Sequence, residues 1–202
     1  MSQLVGVQRI CGLLDRGEID RVEFLVQLTH RMAAEIGCSR AAVRLLIHSD
    51  EGPALRTIAM HDAASGQPVR VPDMTGGDSA PYFDALLHDG SVVVPDVAAT
   101  PALAAFMPRY LGPQDVRSLL DVGFSVNGVL YGTFSCEQVG APQHWTPRQL
   151  RLLRRIAARA SLSLLQAVTA TVDTNPGALW DSSSPNRLTT MTMSLEDDKE
   201  HH

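Results

Sequence analysis

Asp121 and Glu137 invite the first chemical reading, because two carboxylates near one another can act as an acid and base pair, hold a ligand, or be neutralised in ion pairs. Arg117 lies four residues before Asp121, and Arg44 sits on a strand expected beside that of Glu137, so cations are at hand for the neutralised arrangement. Thr133 and Ser135 stand at even steps from Glu137, which on a strand places all three side chains on one face. Asp96 follows Val94-Pro95, where a carboxylate either caps the next turn or meets a ligand. Cys11, Cys38 and Cys136 are far apart, odd in number and without a CxxC pair, so neither a disulfide framework nor a zinc knuckle is indicated. His30, His48, His61, His88 and His144 show no i, i+4 pairing with a second ligand type, and no metal site or cofactor is expected.

The elements that must position these residues follow from hydrophobic period. Leu4, Val7, Cys11 and Leu14 recur at three and four residues and predict a short helix over 3–14. A second helix is expected from Asp20, with Glu23 three residues after the cap and Gly37 suited to the left-handed stop. From Ala41 to His48 the period drops to two, with Val43, Leu45 and Ile47 opposed to Arg44, Leu46 and His48; this is a strand, and 54–60 is its antiparallel partner. Residues 62–79, rich in Gly, Pro and Asp, form a long excursion. One or two helical turns at 82–88, a buried strand at 91–94 and a short helix over 102–110 come next.

Two strands near 117–126 and 129–137 are joined by Asn127-Gly128, the dipeptide that favours a two-residue hairpin because both positions need positive φ. An uninterrupted register would place Asp121 on the face of Phe134 and Cys136. A bulge at Gly123 sorts them instead: Leu120, Val122, Phe134 and Cys136 on a core face, and Leu119, Asp121, Thr133, Ser135 and Glu137 on the other. The second face is too polar to be covered without hydrogen-bonding partners, so it meets solvent or a ligand. The last helix opens at Thr146 with Pro147 and Gln149 in capping-box order and a Trp145–Leu150 staple. Its stripe is Leu150, Leu153, Ala157, Ala160, Leu164 and Val168, with Arg148, Arg151, Arg155 and Arg159 on another face. Beyond Thr169 the pattern gives way to a polar tail expected to be flexible.

Composition supports one folded domain: 202 residues, 45% apolar and 19% charged. With 17 Lys and Arg against 22 Asp and Glu, the net charge of −5 offers no field for phosphates, which argues against nucleic acid. No apolar run approaches a membrane span and the opening residues lack a signal-peptide pattern, so a cytoplasmic protein away from membranes is expected.

The segments 82–101 (YFDALLHDGSVVVPDVAATP), 117–122 (RSLLDV) and 128–139 (GVLYGTFSCEQV), with Trp145-Thr146 and the helix after them, resemble successive landmarks of bacterial signalling GAF domains. The family's proline after the Leu-Asp strand is replaced here by Gly123. The resemblance implies an α+β, profilin-like fold: an antiparallel sheet of five or six strands, terminal helices on one face and a ligand pocket on the other. The domain would take up 1–168, with 169–202 as tail. It also implies a regulatory small-molecule sensor, not an enzyme, working with a separate effector protein. Tyr82, Phe83, Phe106 and Tyr110 fall in the roof segments, where aromatics either stack on a ligand or pack, and the ligand set becomes Arg44, Tyr82, Phe83, Asp96, Tyr110, Asp121, Thr133, Ser135 and Glu137.

Two alternatives remain beside the sensor. One is a dimerisation module with a vestigial pocket. The other is a relative of the free methionine-(R)-sulfoxide reductases, whose catalytic cysteine would fall in YLGPQDVRS, where this chain has none. Bilin attachment would need a cysteine near the roof, and 62–115 contain none; the cyclic-nucleotide pattern of the family is absent too. A homodimer is expected through the first and last helices, since Val5, Ile10, Leu152, Ile156 and Leu165 lie outside the main stripes.

Overall fold

The computed structural model describes residues 4–49, 52–75, 80–126 and 129–174. Helix α1 spans Val5–Asp15 and α2 Arg21–Ile36; Asp20 caps α2 by accepting from the Glu23 N–H at 2.8 Å, and Gly37 ends it at φ 73°. Both helix boundaries follow the capping residues. The helical period predicts a stripe of Val22, Leu25, Thr29, Met32 and Ile36 on α2; the buried face is Phe24, Leu25, Leu28, Thr29, Met32, Ala33 and Ile36, so Val22, at 65% exposed, lies outside it.

Seven strands follow: β1 Arg40–Ser49, β2 Gly52–Asp62, β3 Gln67–Pro68, β4 Met74–Thr75, β5 Ser91–Val94, β6 Val116–Val126 and β7 Val129–Val139. They form an antiparallel sheet in the order β3-β2-β1-β7-β6-β5, with β4 also on β2. The count exceeds the expected five or six because the 62–79 excursion contributes β3 and β4, two residues each, too short to leave a periodic signal. Helix α3 covers Ala80–Asp89. Between β5 and β6 a 3-10 turn at Pro101–Phe106 runs into a π-helical turn at Met107–Leu111, where one regular helix was expected. Helix α4 runs from Pro147 to Thr174, past the predicted end near Thr169. Its capping box is made: Thr146 Oγ1 accepts from the Gln149 N–H at 3.2 Å, and Gln149 Oε1 accepts from the Thr146 N–H at 2.8 Å. The Asn127-Gly128 turn and the 175–202 tail lie outside the described residues.

The sheet separates two apolar cores. On one side α1, α2 and α4 cover Ala41, Val43, Leu120, Val122, Phe134 and Cys136. On the other, Leu55, Leu119 and Leu130 meet Met74, Tyr82, Phe83, Leu86, Leu103, Phe106, Tyr110 and Leu111 from β4, α3 and the two turns. The faces therefore sort as expected, but the device differs. Asp121 pairs with Ser135 and Gly123 stays in register with Thr133; the shift falls between Phe124 and Ser125, with Tyr131 of β7 as the extra residue. Gly123 is thus not the bulge. A second shift, between Val43 and Arg44, makes Ile58 the extra residue of β2 and sets Thr57 opposite Arg44.

Candidate functional site

The polar face is built from three adjacent strands. Arg44 of β1 pairs with Thr133 of β7, Ser135 with Asp121 of β6, and Glu137 with Leu119, so the five polar side chains point to the same side. Glycine at 132 permits this. A Cβ there would stand 1.9 Å from the Arg44 carbonyl oxygen, so only glycine lets β7 approach β1 where the arginine departs. All five side chains are buried: Arg44, Asp121, Thr133, Ser135 and Glu137 have no exposed surface, and neither do Tyr82 and Tyr110 above them.

The Arg44 guanidinium donates through Nη2 to Glu137 Oε1 and, at 2.6 Å, to the Tyr110 hydroxyl. Tyr110 in turn donates to Glu137 Oε1 at 2.9 Å, while Arg44 Nε reaches Thr57 Oγ1 at 3.2 Å. The Tyr110 ring also lies under the guanidinium, 5.2 Å from its carbon. Asp121 accepts from the Tyr82 hydroxyl through Oδ2. Thr133 and Ser135 share a hydroxyl contact at 2.9 Å. Above, Tyr82, Phe83 and Phe106 meet edge to face at centroid distances of 5.2 to 6.4 Å.

Charge in this enclosure is tightly held. Burial would strip the Arg44 proton, but the opposing pull of Tyr110, Glu137 and Asp121 raises its pKa and keeps it a cation. Burial pushes the Asp121 carboxyl up to about 6 against the lowering influence of Arg44 and of the Ser135 and Tyr82 hydroxyls. Burial likewise raises both phenols, most strongly Tyr82, so they act as donors. Three charged side chains each keep one terminal atom without a partner: Arg44 Nη1, Asp121 Oδ1 and Glu137 Oε2. The Ser135 hydroxyl stands opposite Asp121, but the geometry of a bond to Oδ1 is not met.

A family model described as GAF domain matches residues 2–164. The chain belongs to the GAF domain family. Solved GAF structures share its fold at low identity. The phycocyanobilin-bound GAF domain from a cyanobacterial phytochrome aligns with TM-score 0.65 and 16% identity, over 84% of this chain and 97% of that one. The cyanobacteriochrome TePixJ GAF domain aligns at 0.55 and 20%, over 73% and 91%. The free methionine-R-sulfoxide reductase of Neisseria meningitidis, solved with its substrate, aligns at 0.59 and 17%, over 83% and 91%. No curated protein sequence matches the chain.

Within this GAF domain the structure gathers eight of the nine candidate ligand residues. Arg44, Tyr82, Tyr110, Asp121, Thr133, Ser135 and Glu137 form the polar cluster and Phe83 its apolar edge. Asp96 is not among them: its carboxylate accepts from the Ala98 N–H at 3.0 Å and caps its own turn. Arg117, considered as a neutralising cation, pairs instead with Asp115 at the surface. Thr57 joins the cluster without having been anticipated, because only the displaced Ile58 turns it toward Arg44. All three cysteines belong to the helix-side core, and the Cys38 thiol donates to the Arg40 carbonyl at 3.2 Å. Among the described residues no group of three or more His, Cys, Asp or Glu is placed to hold a metal ion, and no helix is long and apolar enough to cross a membrane.

Proposed function

We propose that this GAF domain is a sensory, small-molecule-binding module of bacterial signal transduction, with its ligand taken up between the polar sheet face and the aromatic roof. The observation that carries this reading is the set of unpartnered atoms on Arg44, Asp121 and Glu137, all shielded from solvent. Natural proteins rarely leave such atoms unsatisfied, and an occupant would complete their hydrogen bonds. The domain acts as a non-catalytic switch in the cytoplasm and reports to a separate effector. Its thiols are free and lie behind the sheet, which disfavours the reductase chemistry named for one structural neighbour. The chromophore named for another is disfavoured by the absence of cysteine from 62–115 and by the ion pair in the pocket floor. A metabolite library screened by melting temperature and native mass spectrometry tests the proposal. An occupant at 100 times its Kd should add about 2.7 kcal/mol of stability, and that gain should vanish with Thr133→Val or Ser135→Ala.

A second reading, an interaction module with a vestigial pocket, is favoured by one observation: the floor side chains are fully enclosed and four of them pair with each other, Arg44 with Glu137 and Thr133 with Ser135. A blank screen would select it. In either case the partner proposed is a second copy of the chain, packed through α1 and α4. Its support is narrower than the sequence suggested. Ile10, Leu152 and Ile156 are buried within one chain, and the Leu165 side chain lies outside those described, so among the described side chains of α1 and α4 Val5 and Leu162, 58% and 57% exposed, carry the contact.

A further inference from the structure

We propose that the occupant is a small monocationic amine that also bears a neutral oxygen acceptor, its ammonium meeting Asp121 Oδ1 and Glu137 Oε2 and its oxygen meeting Arg44 Nη1. This rests on the reading of the polar face as a ligand site and adds the charge of the ligand. The free valences set the pattern: two acceptors and one donor remain open, so the complementary molecule brings donors to the carboxylates and one acceptor to the guanidinium. Asp121 and Glu137 stand diagonally across β6 and β7, Asp121 opposite Ser135 and Glu137 two residues further on, within reach of one ammonium.

Charge balance then selects among ligands with that pattern. Arg44 and Glu137 cancel as an ion pair, which leaves Asp121 as an uncompensated carboxylate in a site closed to water. A neutral or zwitterionic occupant leaves that excess in place, and an anion doubles it. A monocation removes it. The aromatic edges of Tyr82, Phe83 and Phe106 suit a compact apolar body beside the ammonium. Without the amine the alternative neutraliser is a proton on Asp121, so proton and amine compete for one carboxylate.

The groups facing Asp121 are Tyr82 from α3, Arg44 from β1, and Ser135 and Glu137 from β7, while its β5 partner is Val92. Tyr82, Tyr110 and Arg44 are held in one protonation state well above neutral pH.

The test uses the full chain and one skeleton in four charge states, L-leucinol, L-leucine, 4-methylpentan-1-ol and 4-methylpentanoate, with alaninol as a smaller amine. Calorimetry at pH 7.5 should show an amino alcohol binding at least about tenfold tighter than the other three states, a difference of about 1.4 kcal/mol. Its affinity should fall about tenfold per pH unit below pH 6 as the proton takes Asp121. Asp121→Asn should abolish the preference while melting no lower than the unchanged chain. The wild-type pH profile stands by itself should that variant fail to fold. Tighter binding of the alcohol, the acid or the zwitterion, or amine binding without pH dependence, overturns the charge assignment while leaving a ligand site. Binding by none of these compounds also overturns it, and a wider metabolite screen then separates the two readings: a non-cationic binder lost in Ser135→Ala keeps the site, whereas none at all removes the site as well.

Discussion

Arg44 and Glu137 face each other with no solvent between them, and the consequences of breaking that pair are unequal. Removing one partner leaves a buried charge alone: Glu137→Gln should lower unfolding free energy by about 3 to 5 kcal/mol in denaturant titration, whereas replacing both by Met and Leu should cost markedly less. Asp121 behaves in the opposite sense. Its folded-state pKa of about 6 lies above its unfolded value of 3.8, so the native state binds the extra proton between these values. The stability this confers is complete below pH 3.8 and is lost as pH rises through 6, a change of order 3 kcal/mol. Asp121→Asn should therefore be the more stable protein at pH 7.5 and should show a flatter stability curve between pH 4 and 6, as chemical denaturation at several pH values would reveal. The carboxylates of Asp15 and Asp62, both lowered by arginine partners, work the other way and lose stability as pH falls.

At the scale of elements, the sheet's sidedness around the polar cluster depends on two of its three single-residue insertions, at Ile58 and Tyr131, and on one missing side chain; the third, at Arg117, lies beyond the cluster. Gly132→Ala would drive a methyl group into the Arg44 carbonyl and should cost about 3 kcal/mol or more, since the clash is with backbone and cannot be relieved by a rotamer. Gly12→Ala offers the contrast: its nearest neighbour is the mobile end of Arg16, and helix propensity favours alanine, so melting temperature should hold or rise. Much of this architecture was legible in the sequence. Asp20, Gly37 and the Thr146-Pro147-Arg148-Gln149 box mark helix ends by local chemistry alone, and alternation of polar and apolar residues assigned both faces of β6 and β7. Bulge position was not legible. Any single insertion between the turn and Asp121 restores the same parity, so polarity identifies that one exists but not that Tyr131 is the residue displaced. For the same reason Thr57 gave no sign of joining Arg44. Asp96 carried a functional residue type in a roof segment, yet its local turn consumed its carboxylate.

For the whole molecule, three of the apolar residues outside the helical stripes, Ile10, Leu152 and Ile156, close the groove among α1, α2 and α4, because the helix-side core draws on a wider face of α4 than the sequence stripe. Leu152→Glu or Ile156→Glu should therefore unfold the chain and say nothing of assembly. Leu162→Glu is the informative change: light scattering should give twice 21.8 kDa for the unchanged protein and 21.8 kDa for the variant, with equal melting temperatures at low concentration. A mass of 21.8 kDa before substitution would dispose of the dimer. Finally, α4 continues from residue 165 to Thr174 past the last residue that the family model matches. Ten helical residues form a rod of about 15 Å. Pivoting such a rod by about 5° carries its tip through ~1.3 Å, comparable to the helix shifts that switch subunit interfaces. In mechanical terms the sheet would be a fulcrum and α4 a lever: were a ligand to repack the residues around Arg44 as proposed, leverage along α4 would enlarge the displacement.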